Sequence, residues 1–138
     1  MVFVVMGLVS VLAFAWLMVT LRSRREQRTA AAATTALLVD DHGVERHLAD
    51  GRRESVAWSE VAEVEVITTD VGVHREDGAL IVLAVDDTRG CLVPSRLAAE
   101  KGVIERVCRL PGFDARRLAD ALDQLPPSRT SCWTRPRT

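Results

Sequence analysis

Residues 61–85 read VAEVEVITTDVGVHREDGALIVLAV, and the patterns on either side of the central loop decide the fold. In the first, Ala62, Val64, Val66 and Thr68 alternate with Glu63, Glu65 and Thr69. That period of two fits a strand with one covered face and one wet face. In the second, residues 79–85 (ALIVLAV) are apolar on both faces and rich in branched side chains, which predicts a central strand covered on both sides. Between them, residues 69–78 (TDVGVHREDG) form the longest polar connection. Long loops on rigid scaffolds carry binding function, so Asp70, His74, Arg75, Glu76 and Asp77 are the candidate binding residues. A plain hairpin tip is the competing reading of the same residues.

Toward the N-terminus, short apolar runs alternate with turn signals. Residues 37–39 and 44–48 predict two strands joined by Asp40-Asp41-His42-Gly43, where Gly43 is available for a positive φ. Asp50-Gly51 predicts the next hairpin turn, and residues 54–58 a third strand with Val56 and Trp58 on one face. Toward the C-terminus, the turn at residues 86–90 leads into a strand at 91–93 that Pro94 stops, because proline cannot donate to the ladder.

The period then becomes helical. Ser95 is placed to cap a turn running to Gly102, and Val103, Ile104, Val107 and Leu110 share a face before Pro111-Gly112. Asp114 reads as the N-cap of a further helix, with Phe113 and Leu118 forming a hydrophobic staple. Leu118, Ala121, Leu122 and Leu125 make its core-facing stripe, and Pro126-Pro127 ends it. A short strand at residues 131–133 closes the sheet, with Trp133 covering one end of the core. The expected class is α+β, a small antiparallel sheet or barrel followed by helices.

Residues 1–21 (MVFVVMGLVSVLAFAWLMVTL) carry no ionisable side chain. As a helix the stretch spans about 31 Å, which matches the hydrocarbon core of a bilayer. Trp16 lies near one end, where an interfacial ring is favoured, and Arg22, Arg24, Arg25 and Arg28 follow at once. Positive residues flanking a span remain in the cytoplasm, so the expectation is a single-pass plasma-membrane protein with its N-terminus outside. A cleaved signal peptide is the rival reading, but it has a positive leading region and a shorter apolar core. The organisation is then a transmembrane helix at 1–21, a basic juxtamembrane segment and linker at 22–36, and a cytoplasmic α+β domain at 37–138.

Charge follows the same division. The chain holds 18 basic and 19 acidic side chains, and residues 22–28 alone carry a net charge of plus three. The remaining residues, 29–138, therefore carry minus four, which repels nucleic acid. Cys91, Cys108 and Cys132 fit neither a disulfide framework nor a zinc knuckle, and read as small apolar residues. His42, His47 and His74 with Asp40, Asp41, Glu76 and Asp77 lack metal-ligand spacing, so no metal is expected. Glu63 and Glu65 share a strand face but read as solubilising residues, and there is no nucleophile elbow or phosphate-binding glycine loop. No catalytic residue and no cofactor are expected, and the chain does not read as an enzyme.

Six strands followed by helices, Gly43 in an early hairpin and the run Trp58-Ser59-Glu60-Val61-Ala62-Glu63-Val64 together resemble the bacterial pleckstrin-homology-like domains. The likeness covers roughly residues 37–125. It implies an interaction module tethered to a membrane, with the lipid bilayer and a protein of unknown identity as its partners. The function expected is a membrane-tethered, non-catalytic binding or scaffolding domain at the cytoplasmic face. The alternatives are an accessory subunit of a membrane complex and a small-ligand receptor or enzyme using the 69–78 loop.

Overall fold

The computed structural model describes residues 33–137 except Val73 and the side chain of Glu76. The expected span and its arginine collar lie outside the described residues, among which no helix is long and apolar enough to cross a membrane. The described chain is α+β, with two antiparallel sheets and three short helices.

Strands β1 (Thr34–Val39), β2 (Gly43–Leu48) and β3 (Arg53–Ala57) form a meander in the order β1-β2-β3. Its first strand starts at Thr34, inside the stretch expected to be linker. Gly43 does not take a positive φ. It opens β2, where an added Cβ would lie 2.1 Å from the Val56 carbonyl oxygen, so the absence of a side chain permits a close strand approach. The preceding turn is made instead by Asp40, whose Oδ1 accepts from the backbone N–H of His42 and of Gly43 at 2.8 and 2.9 Å. Gly51, at φ 86°, does supply the left-handed residue of the next hairpin.

The chain leaves β3 one residue earlier than the alternation suggests, because Trp58–Glu60 winds into a 3₁₀ turn. That turn carries it to the second sheet, whose strands β4 (Glu63–Thr68), β5 (Ala79–Ala84), β6 (Gly90–Pro94) and β7 (Ser128–Thr134) lie in the order β6-β5-β4-β7. Strand β5 is internal, and its neighbouring residues Leu80 and Ile81 are both buried although they point to opposite faces. The ALIVLAV run is therefore covered on both sides, as its composition predicts. On β4, Val64 and Val66 are wholly buried, while Glu63 and Glu65 are half-buried beneath Ser131 and Arg129 of β7.

Between β6 and β7 lie helices α1 (Ser95–Glu100), α2 (Val103–Val107) and α3 (Ala115–Leu122). Asp114 caps α3, its carboxylate accepting from the N–H of Arg116 and Arg117. Ser95 does not cap α1; its hydroxyl donates to the Asp77 carbonyl at 3.0 Å. Helix α3 ends at Leu122, so Leu125 leaves the helical register and stands 85% exposed rather than joining the stripe of Leu118 and Ala121. One apolar core joins both sheets and the helices through Val44, Val56, Ile81, Leu83, Val93, Val107, Leu118 and Trp133.

Candidate functional site

Alternation along β2 aims Val44, Arg46 and Leu48 at the interior, so a guanidinium enters a row that is otherwise apolar. Arg46 is fully buried, and an unpaired charge there would be prohibitively costly. Its Nη1 donates to Glu54 Oε1 at 2.9 Å across the β2–β3 ladder, and its Nε donates to Thr34 Oγ1 at 2.7 Å. Glu54 Oε1 also accepts from the backbone N–H of Leu92 at 3.1 Å, which ties the first sheet to β6 of the second.

The third contact reaches the 69–78 loop. Arg46 Nη2 lies 3.4 Å from His74 Nε2, and His74 Nδ1 lies 3.0 Å from Asp77 Oδ2. Arginine has no acceptor, so a hydrogen bond from Nη2 requires Nε2 to accept, the tautomer in which Nδ1–H donates to the Asp77 carboxylate. The imidazole is 3% exposed. With one nitrogen serving a carboxylate and the other facing a guanidinium, it acts as a strut between loop and sheet. This geometry does not turn it toward a hydroxyl or thiol as a general base would be turned.

Cys91 borders this cluster. Burial, and secondarily the Glu54 carboxylate, push its thiol up to about 12, against the opposing pull of Arg46. It stays protonated and packs as a small apolar side chain.

The loop residues singled out by sequence thus divide. His74 and Asp77 turn inward, whereas Asp70 and Arg75 are exposed, and the side chain of Glu76 lies outside the described set. Val71, not singled out, is 71% exposed at the loop tip. Trp16, Arg22, Arg24, Arg25 and Arg28 lie outside the described residues. Arg46 and Glu54, the hub of the cluster, were missed by the sequence reading. The available signal was parity, since Arg46 falls on the same face of its strand as Val44 and Leu48.

The histidines are held apart by the fold. His42 lies in the β1–β2 turn, His47 on the opposite face of β2 from Arg46, and His74 in the loop. Among the described residues no three histidine, cysteine or carboxylate side chains gather to hold a metal ion. The Glu63 and Glu65 carboxylates do interact on the outer face of β4. Burial raises the Glu65 carboxyl above its ordinary range and the neighbouring Glu63 adds to this, against the pull of Arg129 at 2.7 Å. Glu63 accepts from the Ser131 hydroxyl at 2.9 Å.

The chain matches no protein-family model, and neither a curated protein nor a solved structure matches it.

Proposed function

We propose that this chain is a membrane-tethered, non-catalytic binding domain that works at the cytoplasmic face of the plasma membrane. The observation carrying the proposal is the uncharged stretch of residues 1–21 followed by four arginines within residues 22–28. Tethering raises the effective concentration of a folded module near partners in the same membrane without any new contact. The domain's own ionisable cluster supports the reading, because Arg46, Glu54, His74 and Asp77 engage one another inside the fold. Within the same proposal the domain is a pleckstrin-homology-like module. Two antiparallel sheets around one core favour that likeness, and the placement of β7 after the helices is where the chain departs from it.

The test uses the full chain expressed in cells. It is expected to stay with membranes through an alkaline carbonate wash, and protease added outside intact cells is expected to leave the region beyond residue 28 whole. Release by carbonate, or external digestion of that region, would overturn the tether. Crosslinking in the same cells is expected to attach a reproducible protein partner to the domain. Repeated failure to attach one overturns the binding role.

A further inference from the structure

We infer that one end of the domain lies against the bilayer, with Val71 and Leu125 at the headgroup boundary and Arg53 and Arg75 facing anionic lipid phosphates; this rests on the tethering reading above.

The chain enters the fold at Thr34, six residues beyond Arg28, the last arginine of the collar. A fully extended chain of that length reaches at most about 20 Å, so the entry point of β1 stays close to the membrane surface. The structure identifies what else lies at that end. The Ala33 carbonyl accepts from the N–H of Ala49 at 2.8 Å, which places the β2–β3 turn and Arg53, its side chain 68% exposed, beside the entry. Thr34 and His74 contact the same Arg46 guanidinium, at Nε and Nη2, which places the 69–78 loop there too. The loop leaves β4 at Thr68, whose hydroxyl is hydrogen-bonded to that of Ser128. Val71 follows Thr68 by three residues and Leu125 precedes Ser128 by three.

Three large apolar side chains are exposed among the described residues, and two of them, Val71 at 71% and Leu125 at 85%, lie at this end. Asp50, Asp70 and Asp77 are there as well, the first bound to Arg52 at 2.6 Å and the last held by His74, while the Glu45 carboxylate lies 3.8 Å from Arg53. The opposite end gathers the carboxylates of Asp40, Asp41, Glu60, Asp86 and Asp87, with Arg89, Arg106 and Arg135 among them. An anionic leaflet repels that end, where five carboxylates face three arginines, more than the entry end, where arginines and carboxylates are closer to balance, and the short linker sets the same orientation. An apolar side chain flanked by cations is the combination that lodges at the headgroup boundary. Because Arg46, His74 and Asp77 hold the loop from inside, Val71 and Arg75 are presented by a braced element.

The full chain, carrying Cys108→Ser and one added cysteine at Val71, Leu125 or Asp41, is labelled with a fluorophore and reconstituted in vesicles bearing headgroup nitroxide lipid. Asp41, its side chain 99% exposed, marks the opposite end. Quenching at Val71→Cys and Leu125→Cys is expected to exceed that at Asp41→Cys by about threefold or more. The excess should grow when phosphatidylglycerol is added to phosphatidylcholine. Arg53→Ala with Arg75→Ala should abolish that growth while leaving Asp41→Cys unchanged. Flotation of the same vesicles reads the tether separately. A chain that floats but quenches equally at all three sites overturns the apposition alone, whereas a chain that does not float overturns the tether and this inference together. Labels shielded in cells yet unquenched in vesicles would assign the face to a protein, which also overturns it.

Discussion

The two ends of the domain are stitched by different chemistry. At the entry end a buried guanidinium is satisfied by buried or half-buried side chains, namely Glu54, Thr34 and His74 with its partner Asp77. At the opposite end the cations and the indole address backbone carbonyls near water. Trp58 Nε1 donates to the Asp40 carbonyl at 2.9 Å, Arg106 to that of Asp41 at 2.9 Å, and Arg135 to those of Val61 and Trp58. Arg106 and Arg135 also lie 5.3 Å from the ring centroids of Trp58 and Trp133. The comparison teaches that similar numbers of polar contacts carry unlike consequences. A carbonyl released near solvent finds water, but a carboxylate released in the interior finds none.

The largest expected effect is at the entry end. Arg46→Met leaves Glu54 and the His74–Asp77 pair facing an apolar side chain, and should cost about 3–5 kcal/mol in denaturant unfolding of the full chain in detergent. Combining it with Glu54→Met should recover a substantial part, because the uncompensated carboxylate disappears too. If Arg46→Met alone costs less than about 1 kcal/mol, water reaches this cluster and the contrast between the ends fails.

At the opposite end Trp58→Phe keeps most of the buried ring but removes the bond to the Asp40 carbonyl. A loss of about 1 kcal/mol is expected in the same measurement. Smaller still is Arg89→Ala. Arg89 and Glu60 form a bidentate pair at 2.7 and 3.0 Å with both side chains substantially exposed, so the loss should stay below about 1 kcal/mol and shrink with added salt. A cost there approaching that of Arg46→Met would erase the distinction.

Glu65, between the two ends, gives the smallest effect and the one that depends on pH. Its carboxyl titrates above the ordinary range in the fold, so the native state holds this proton more tightly than the unfolded chain does. Its favourable contribution is complete below the ordinary carboxyl value and is lost as pH rises through the folded value. Glu65→Gln should therefore stabilise by roughly a few tenths of a kcal/mol at about pH 7 relative to about pH 4, since solvent still reaches the site. Should the variant instead weaken as pH rises, the Arg129 pair outweighs the desolvation that raises the carboxyl.

Much of the architecture was legible because it rests on local rules. The alternation on β4, the two-sided apolar run on β5, the Asp50-Gly51 turn and the Asp114 cap each depend on residues close in sequence. The errors arose where local and long-range demands differ. Gly43 fits a turn by local rules, yet its position is set by the Val56 backbone thirteen residues away. Leu125 continues a helical stripe by spacing, yet the helix ends before reaching it. The candidate loop was visible as a polar stretch, but its division into inward His74 and Asp77 and outward Val71 and Arg75 was not.

The sequence by itself determined the uncharged stretch with its arginine collar, the strand and helix periods, and the acidic balance of the domain, because composition and spacing need no partner to be read. Tertiary structure alone decided that Arg46 is buried, that His74 stands between Arg46 and Asp77, and that chain entry, loop tip and Leu125 share one end. Those facts depend on contacts such as Arg46 to His74 and Thr68 to Ser128, 28 and 60 residues apart in sequence. Strand pairing within the second sheet and the packing of the 69–78 loop against the first bring such residues together.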